Sequence, residues 1–200
     1  MSFISYLING ISLGSVYALI ALGYTMVYGI AKMLNFAHGD VIMVGAFITY
    51  TMCSTMGLSP VIGVLAAVIA CTLLGMAIEK VAYKPLRKAS SPLAVLITAI
   101  GVSYLLQNLA IYITGGLPQM YPSLPGLSSQ ITIAGTSTKM VTVITPFLVV
   151  ALVVVLTQLI NHTKIGMAMR AASRDFETAQ LMGIKINNII SFTFVIGSFL

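Results

Sequence analysis

Charge is what this sequence has least of. Of its 200 residues 7% are charged and 58% are hydrophobic, whereas a water-soluble domain carries about 25% charged residues. So few ionic groups cannot cover a water-exposed surface, and the apolar patches left bare would associate. The solvent that fits is lipid. Hydrophobicity this high excludes disorder, and the missing basic stripe with interleaved aromatics excludes a nucleic-acid binder despite a net charge of +6. The two cysteines, Cys53 and Cys71, lie inside apolar runs without a C-x-x-C, so they read as small core residues rather than zinc or redox ligands. Carboxylates number four and histidines two, which leaves little for acid–base work. The P-loop, G-x-S-x-G and H-E-x-x-H patterns are all absent. Catalytic residues, a metal site, a bound cofactor and an enzymatic activity are therefore not expected. The N-terminus has no basic region ahead of its first apolar run, so a cleavable leader is not expected and that run should be retained.

What the chain does have is a series of apolar runs. The first covers residues 3–30 without a charge and as a helix would reach about 42 Å. It contains Gly10-Ile11-Ser12-Leu13-Gly14, a G-x-x-x-G that permits close helix approach, read here as packing within one subunit in preference to a dimer seam. Further runs cover 41–57, 61–78, 93–114 and 141–161, with a turn at Ser59-Pro60. The second is short unless it begins near Asn35. The fourth carries Gln107 and Asn108, which should face protein rather than lipid. Residues 115–139 form a Gly-, Pro- and Ser-rich loop with an alternating piece, Gln130-Ile131-Thr132-Ile133, that suits a small hairpin. A sixth run opens at Ile189 and is still apolar at Leu200. A span needs about 20 residues, so the chain is expected to be an N-terminal fragment cut inside a helix. The expected fold is all-α: a polytopic integral membrane protein, one domain over 1–200, with about six transmembrane helices, the last truncated.

The basic residues orient it. Lys80, Lys84, Arg87 and Lys88 fall between runs three and four, and Lys164, Arg170, Arg174 and Lys185 between runs five and six. Both segments are expected on the cytoplasmic side. The 115–139 loop, Ser59-Pro60 and the N-terminus are then external, and the Lys32 segment leans to the cytoplasm. A re-entrant run would flip this count.

Two segments break the apolar pattern. In the first, Asn35, His38, Gly39 and Asp40 interrupt runs one and two. Irregular backbone at membrane depth is tolerated where protein or an aqueous cavity satisfies it. These residues either line a translocation path or hold a helix break, or else form an interfacial turn in which Asn35 or Asp40 caps the next helix. The second segment is 162–187. There Ala172, Phe176, Ala179 and Gly183 recur at helical spacing. Ser173 is placed to cap that helix, Asp175 and Glu177 suit its first turn, and Gly183 suits its end. A stripe this small is suited to docking on a protein; a helix lying on lipid headgroups is the other reading.

Glu177-Thr178-Ala179-Gln180-Leu181-Met182-Gly183 resembles the E-A-A-x-x-x-G motif of bacterial ABC importer permeases, without a match to its later Ile-x-Leu-Pro part. The stretch from Asn9 through Ile30, the string Asn35-Phe36-Ala37-His38-Gly39-Asp40, the Tyr-Lys-Pro-Leu-Arg at 83–87 and Arg170-Ala171-Ala172 are similar to the LivH-type permease family of branched-chain amino acid ABC transporters. The resemblance runs over essentially the whole chain, and members of that family are usually longer. It implies a multi-pass permease domain of the bacterial inner membrane that imports leucine, isoleucine or valine by alternating access. It implies a second permease subunit of LivM type and an extracytoplasmic binding protein. Two cytoplasmic ATPase subunits would bind the ATP. Phe176, Glu177, Ala179 and Gly183, within the 162–187 segment, would couple the permease to an ATPase. A urea or short-chain amide permease of the same family is the nearest alternative, because related permeases carry a similar Asn-x-Ala-His-Gly string. A secondary transporter is the alternative of another class, and the scarcity of intramembrane charge beyond Asp40 and Glu79 argues against it.

Overall fold

The computed structural model describes residues 3–87, 92–121, 129–133 and 136–200. Lys88 and most of residues 115–139 that are not in the hairpin or in 115–121 lie outside the described residues. The chain runs α1 (Phe3–Ala31), α2 (His38–Tyr50), α3 (Pro60–Ile78), α4 (Lys84–Leu86), α5 (Pro92–Thr114), β1 (Gln130–Ile133), β2 (Thr136–Lys139), α6 (Met140–His162), α7 (Lys164–Arg174), α8 (Phe176–Leu181) and α9 (Ile186–Phe199). Two π-helical turns extend the ladder: Thr51–Thr55 prolongs α2, and Glu79–Tyr83 joins α3 to α4.

The apolar runs became helices because only helices satisfy their own backbone in lipid. Among the described residues four are long and apolar enough to cross a membrane: Phe3–Ala31, Pro60–Leu86, Leu93–Thr114 and Met140–His162. The third run continues past its apolar end because Glu79 is taken into the interior, 1% exposed, on an ion pair with Arg87. The alternating piece at 130–133 pairs antiparallel with β2, as its period-2 pattern anticipates.

Helix pairs close where side chains are smallest. Helix α9 packs against both α1 and α3. A Cβ on Gly197 would meet Val27 at 2.8 Å, and one on Gly75 would run into the Ser198 hydroxyl. By contrast, a Cβ on Gly10 or Gly14 would meet nothing within 4 Å. The motif lies on a face of α1 that is open among the described residues. The core gathers at one end of the bundle, where Tyr83, Ala37, Ala172, Ala179, Ile186 and Phe194 pack together.

The two ends are distinguishable. At one, Arg87 Nη1 donates to Asn187 Oδ1 at 2.9 Å, which brings both basic segments to the same side. At the other, the Tyr50 hydroxyl donates to Gln119 Oε1 at 2.8 Å, joining the far end of α2 to the segment beyond α5.

Candidate functional site

Helix α1 ends because Lys32 adopts a left-handed φ of 56°. The chain then turns back, and Asn35 and Ala37 are buried. Helix α2 starts at His38 with Ala37 as its N-cap and no side-chain cap. The expectation that Asn35 or Asp40 caps this helix is therefore corrected. Their polar atoms are used between helices instead. Asn35 Oδ1 accepts from the Tyr83 hydroxyl at 3.0 Å. Asp40, 7% exposed, accepts from the Ser103 hydroxyl at 2.5 Å and from Gln107 Nε2 at 3.1 Å. The physical reason is depth. Ser103 lies about 16 Å along α5 from Pro92, so Asp40 sits far from the basic end, where an unmet carboxylate is expensive. The Val41 carbonyl, which accepts from Cys71 Sγ at 3.3 Å well inside α3, lies at similar depth.

The break is thus internal to the bundle, and three of the four residues singled out in the sequence share one cleft. Asn35, His38 and Gly39 line a space of about 450 Å³ with Tyr17, Ile20, Ala21, Tyr24, Thr25 and Phe36. Its wall is largely apolar, and Asn35, His38, Thr25 and the two tyrosines are its polar members. His38 is buried and lies against Gly23, where a Cβ would be 3.1 Å from its ring. Tyr24 faces the imidazole at a centroid distance of 6.3 Å. Asp40 stands apart from the cleft lining, turned to α5. Gln107 and Asn108 are both exposed; Gln107 reaches Asp40 on α2 with its amide nitrogen, whereas Asn108 donates to the Tyr104 carbonyl of its own helix at 2.7 Å.

The second site is at the basic end. The sequence pattern suggests one helix from Ser173 to Gly183, whereas the structure has two, α7 and α8, with Asp175 between them as the cap. Asp175 accepts from the Glu177 amide at 2.9 Å and from the Thr178 hydroxyl. The Ser173 hydroxyl is instead spent on the Arg170 carbonyl at 2.8 Å. Hydrogen bonding, chiefly from the Thr178 side chain, holds the Asp175 carboxyl below the usual carboxylate range. Helix α7 has its own cap, Thr163, which accepts from the Gly166 amide at 3.0 Å. At the far end Gly183 takes φ 84°. Its amide donates to Gln180 and that of Ile184 to Ala179, the paired bonds of a Schellman stop.

The small stripe faces the chain's own core. Ala172 and Ala179 are buried, 1% and 4% exposed, and Phe176 packs against the same cluster. Glu177 and Gly183 are exposed. The most exposed large apolar groups of the segment are Leu181 and Met182, 86% and 79% exposed, ahead of Met167 and Ile165 of α7. Ala179 packs inward as an anchor of α8. Sequence reasoning passed over Leu181 and Met182, whose signal was two bulky apolar residues directly before a stop glycine.

Residues 6–200 match the family described as "Branched-chain amino acid transport system / permease component". The LivH permease protein of the high-affinity branched-chain amino acid transport system of Salmonella typhimurium is 39% identical over 210 residues, covering 98% of this chain and 67% of that protein. The BraD permease protein of the corresponding Pseudomonas aeruginosa system is 41% identical over 208 residues with the same coverage. A probable LivH permease of Methanocaldococcus jannaschii is 24% identical over 185 residues, covering 90% and 58%. No solved structure matches.

Proposed function

Because this chain belongs to the branched-chain amino acid transport permease family, whose members are membrane-embedded subunits of ABC importers, we propose that it moves leucine, isoleucine and valine into the cell. ATP is bound and hydrolysed by two separate cytoplasmic subunits, an extracytoplasmic protein delivers the substrate, and a LivM-type permease completes the path. The observation that carries the reading is the α7–α8 segment. It bridges two membrane helices at the basic end, is anchored inward by Ala172, Phe176 and Ala179, and presents Glu177, Leu181, Met182 and Gly183 outward. A rigid segment of this kind converts a push from a soluble partner into movement of α6 and α9. The helix break at Asn35–Asp40 lies along the path in this reading. The largely apolar wall of its cleft suits an aliphatic side chain, and the polar atoms of Asn35 and His38 suit the substrate's charged end.

The test is uptake of radiolabelled leucine and urea by membrane vesicles that contain the complete transporter. ATP-dependent leucine uptake that urea does not compete is the expected result. Urea uptake without leucine uptake replaces the substrate assignment, and uptake that persists without the ATPase subunits removes the importer reading.

A further inference from the structure

We propose that Arg87 is a positioning residue for transport, a two-position link that passes movement of the α7–α8 segment into α3. The inference rests on the importer reading for its substrate, but its geometry stands separately.

Arg87 follows α4, where the α3 ladder leaves the bundle. Its Nη2 donates to Glu79 Oε1 and its Nη1 to Asn187 Oδ1 at 2.9 Å, with the Asn187 carbonyl a weaker second acceptor of Nη1 at 3.5 Å. Asn187 is the second residue of α9, and only Ile184, Lys185 and Ile186 separate it from the stop at Gly183. One guanidinium therefore ties the exit of the α7–α8 segment to a buried carboxylate in the π-helical turn that directly continues α3. Elsewhere α9 meets α3 through apolar and small side chains, contacts that slide more readily than a charged hydrogen bond.

The link is incomplete in an informative way. Glu79 Oε2 and Arg87 Nε are both buried without a partner. These are the two atoms that, with Nη2 and Oε1, would close a side-on fork between guanidinium and carboxylate. With Nη1 held at Asn187, one limb of that fork closes and the other stays open. Release of Asn187 frees the guanidinium to turn and close both limbs on Glu79. The arrangement seen here joins α9 to α3; the alternative parts them and leaves neither charged atom unmet. A discrete pair of arrangements is what energetic coupling between distant sites requires.

The receiving end leads to the helix break. Glu79 and Tyr83 bound one π-helical turn. The Tyr83 ring packs on Phe194 of α9 at 5.4 Å, and its hydroxyl holds Asn35. Displacement of Glu79 therefore reaches the residues that precede α2.

The experiment uses the whole transporter in proteoliposomes, with leucine uptake and ATP hydrolysis measured in the same vesicles. Asn187→Ala removes the acceptor side chain at an exposed position and leaves the Arg87–Glu79 pair intact. ATP hydrolysis should continue while leucine moved per ATP falls about tenfold. Arg87→Gln should fall likewise; where it fails to assemble, Asn187→Ala carries the test. A wild-type ratio in Asn187→Ala overturns the proposal. If the wild-type transporter hydrolyses ATP but moves no leucine, the substrate reading fails and the link is read by spin labels at Lys84 and Asn188. Their separation should change between nucleotide-free and ATP-bound states, and that change should be altered by Asn187→Ala. Identical label behaviour in the two proteins overturns the link.

Discussion

The Tyr83 hydroxyl donates to Asn35 Oδ1 across 48 residues of sequence, so the end of one membrane helix fixes the entry to another. Tyr83 is 0% exposed and Asn35 6%. Tyr83→Phe removes the donor, leaves the amide oxygen unmet, and should cost about 1–3 kcal/mol. The check is thermal unfolding in detergent, where Tyr83→Phe combined with Asn35→Leu should recover part of the loss.

Gly75 and Ser198 occupy one another's space. Gly75→Ala drives a methyl group into the serine side chain, and overpacking of this kind costs about 1–3 kcal/mol. Ser198→Gly in the same chain should restore most of the stability. Failure of the double variant to recover would show that α9 is not seated against α3 at this level.

Gly183 should tolerate no side chain without strain. Its φ of 84° costs an L-residue about 1–2 kcal/mol, although a Cβ would meet nothing. Gly183→Ala should thus loosen the α8 stop without a steric clash. Gly183→Leu should uncouple ATP hydrolysis from uptake in a permease that still inserts. Leu181→Ser with Met182→Ser should weaken co-purification of the ATPase subunits with unfolding unchanged, whereas Ala179→Phe should lower stability because that position faces the core.

Acid should unwind the cap of α8. Asp175 is held below its ordinary value by hydrogen bonds to its charged form. A depressed carboxylate contributes its stabilisation in full above the unfolded value of about 3.9 and loses it as pH falls through the folded value. The protection of α8 amides, taken as exchange relative to the intrinsic rate at each pH, should be constant above about pH 5 and fall below about pH 4. Asp175→Asn keeps a capping oxygen and should flatten the profile.

A cysteine at Thr178 should be shielded from an impermeant external thiol reagent in intact cells, and one at Met120, 92% exposed near the opposite end, should react. External labelling at residue 178 reverses the orientation. A cysteine at Ser90 should also be shielded; that position lies outside the described residues.

The spans were legible because each is an uninterrupted apolar run, and the hairpin because Gln130–Ile133 alternates. The break at Asn35–Asp40 was legible as polarity where lipid demands none. Its partners were not, since Tyr83, Ser103 and Gln107 carry no periodic mark that couples them to residues dozens of positions away. Periodicity put Ala172, Phe176 and Ala179 on one face but could not say whether that face turned in or out. Ser173 and Asp175 were both chemically able to cap, and the choice between them was made by the bend between α7 and α8. Gly10 and Gly14 carry a packing motif, yet a motif does not specify which helix answers it.

Asp40 also constrains how the protein is made. Its two hydrogen-bond donors belong to α5, which leaves the ribosome long after α2 does. Until then the Asp40 carboxyl on α2 lacks the partners that make a polar group tolerable within a membrane. The second helix should therefore linger beside the insertion machinery, or partition poorly, until Ser103 and Gln107 have been synthesised and arrive to receive it.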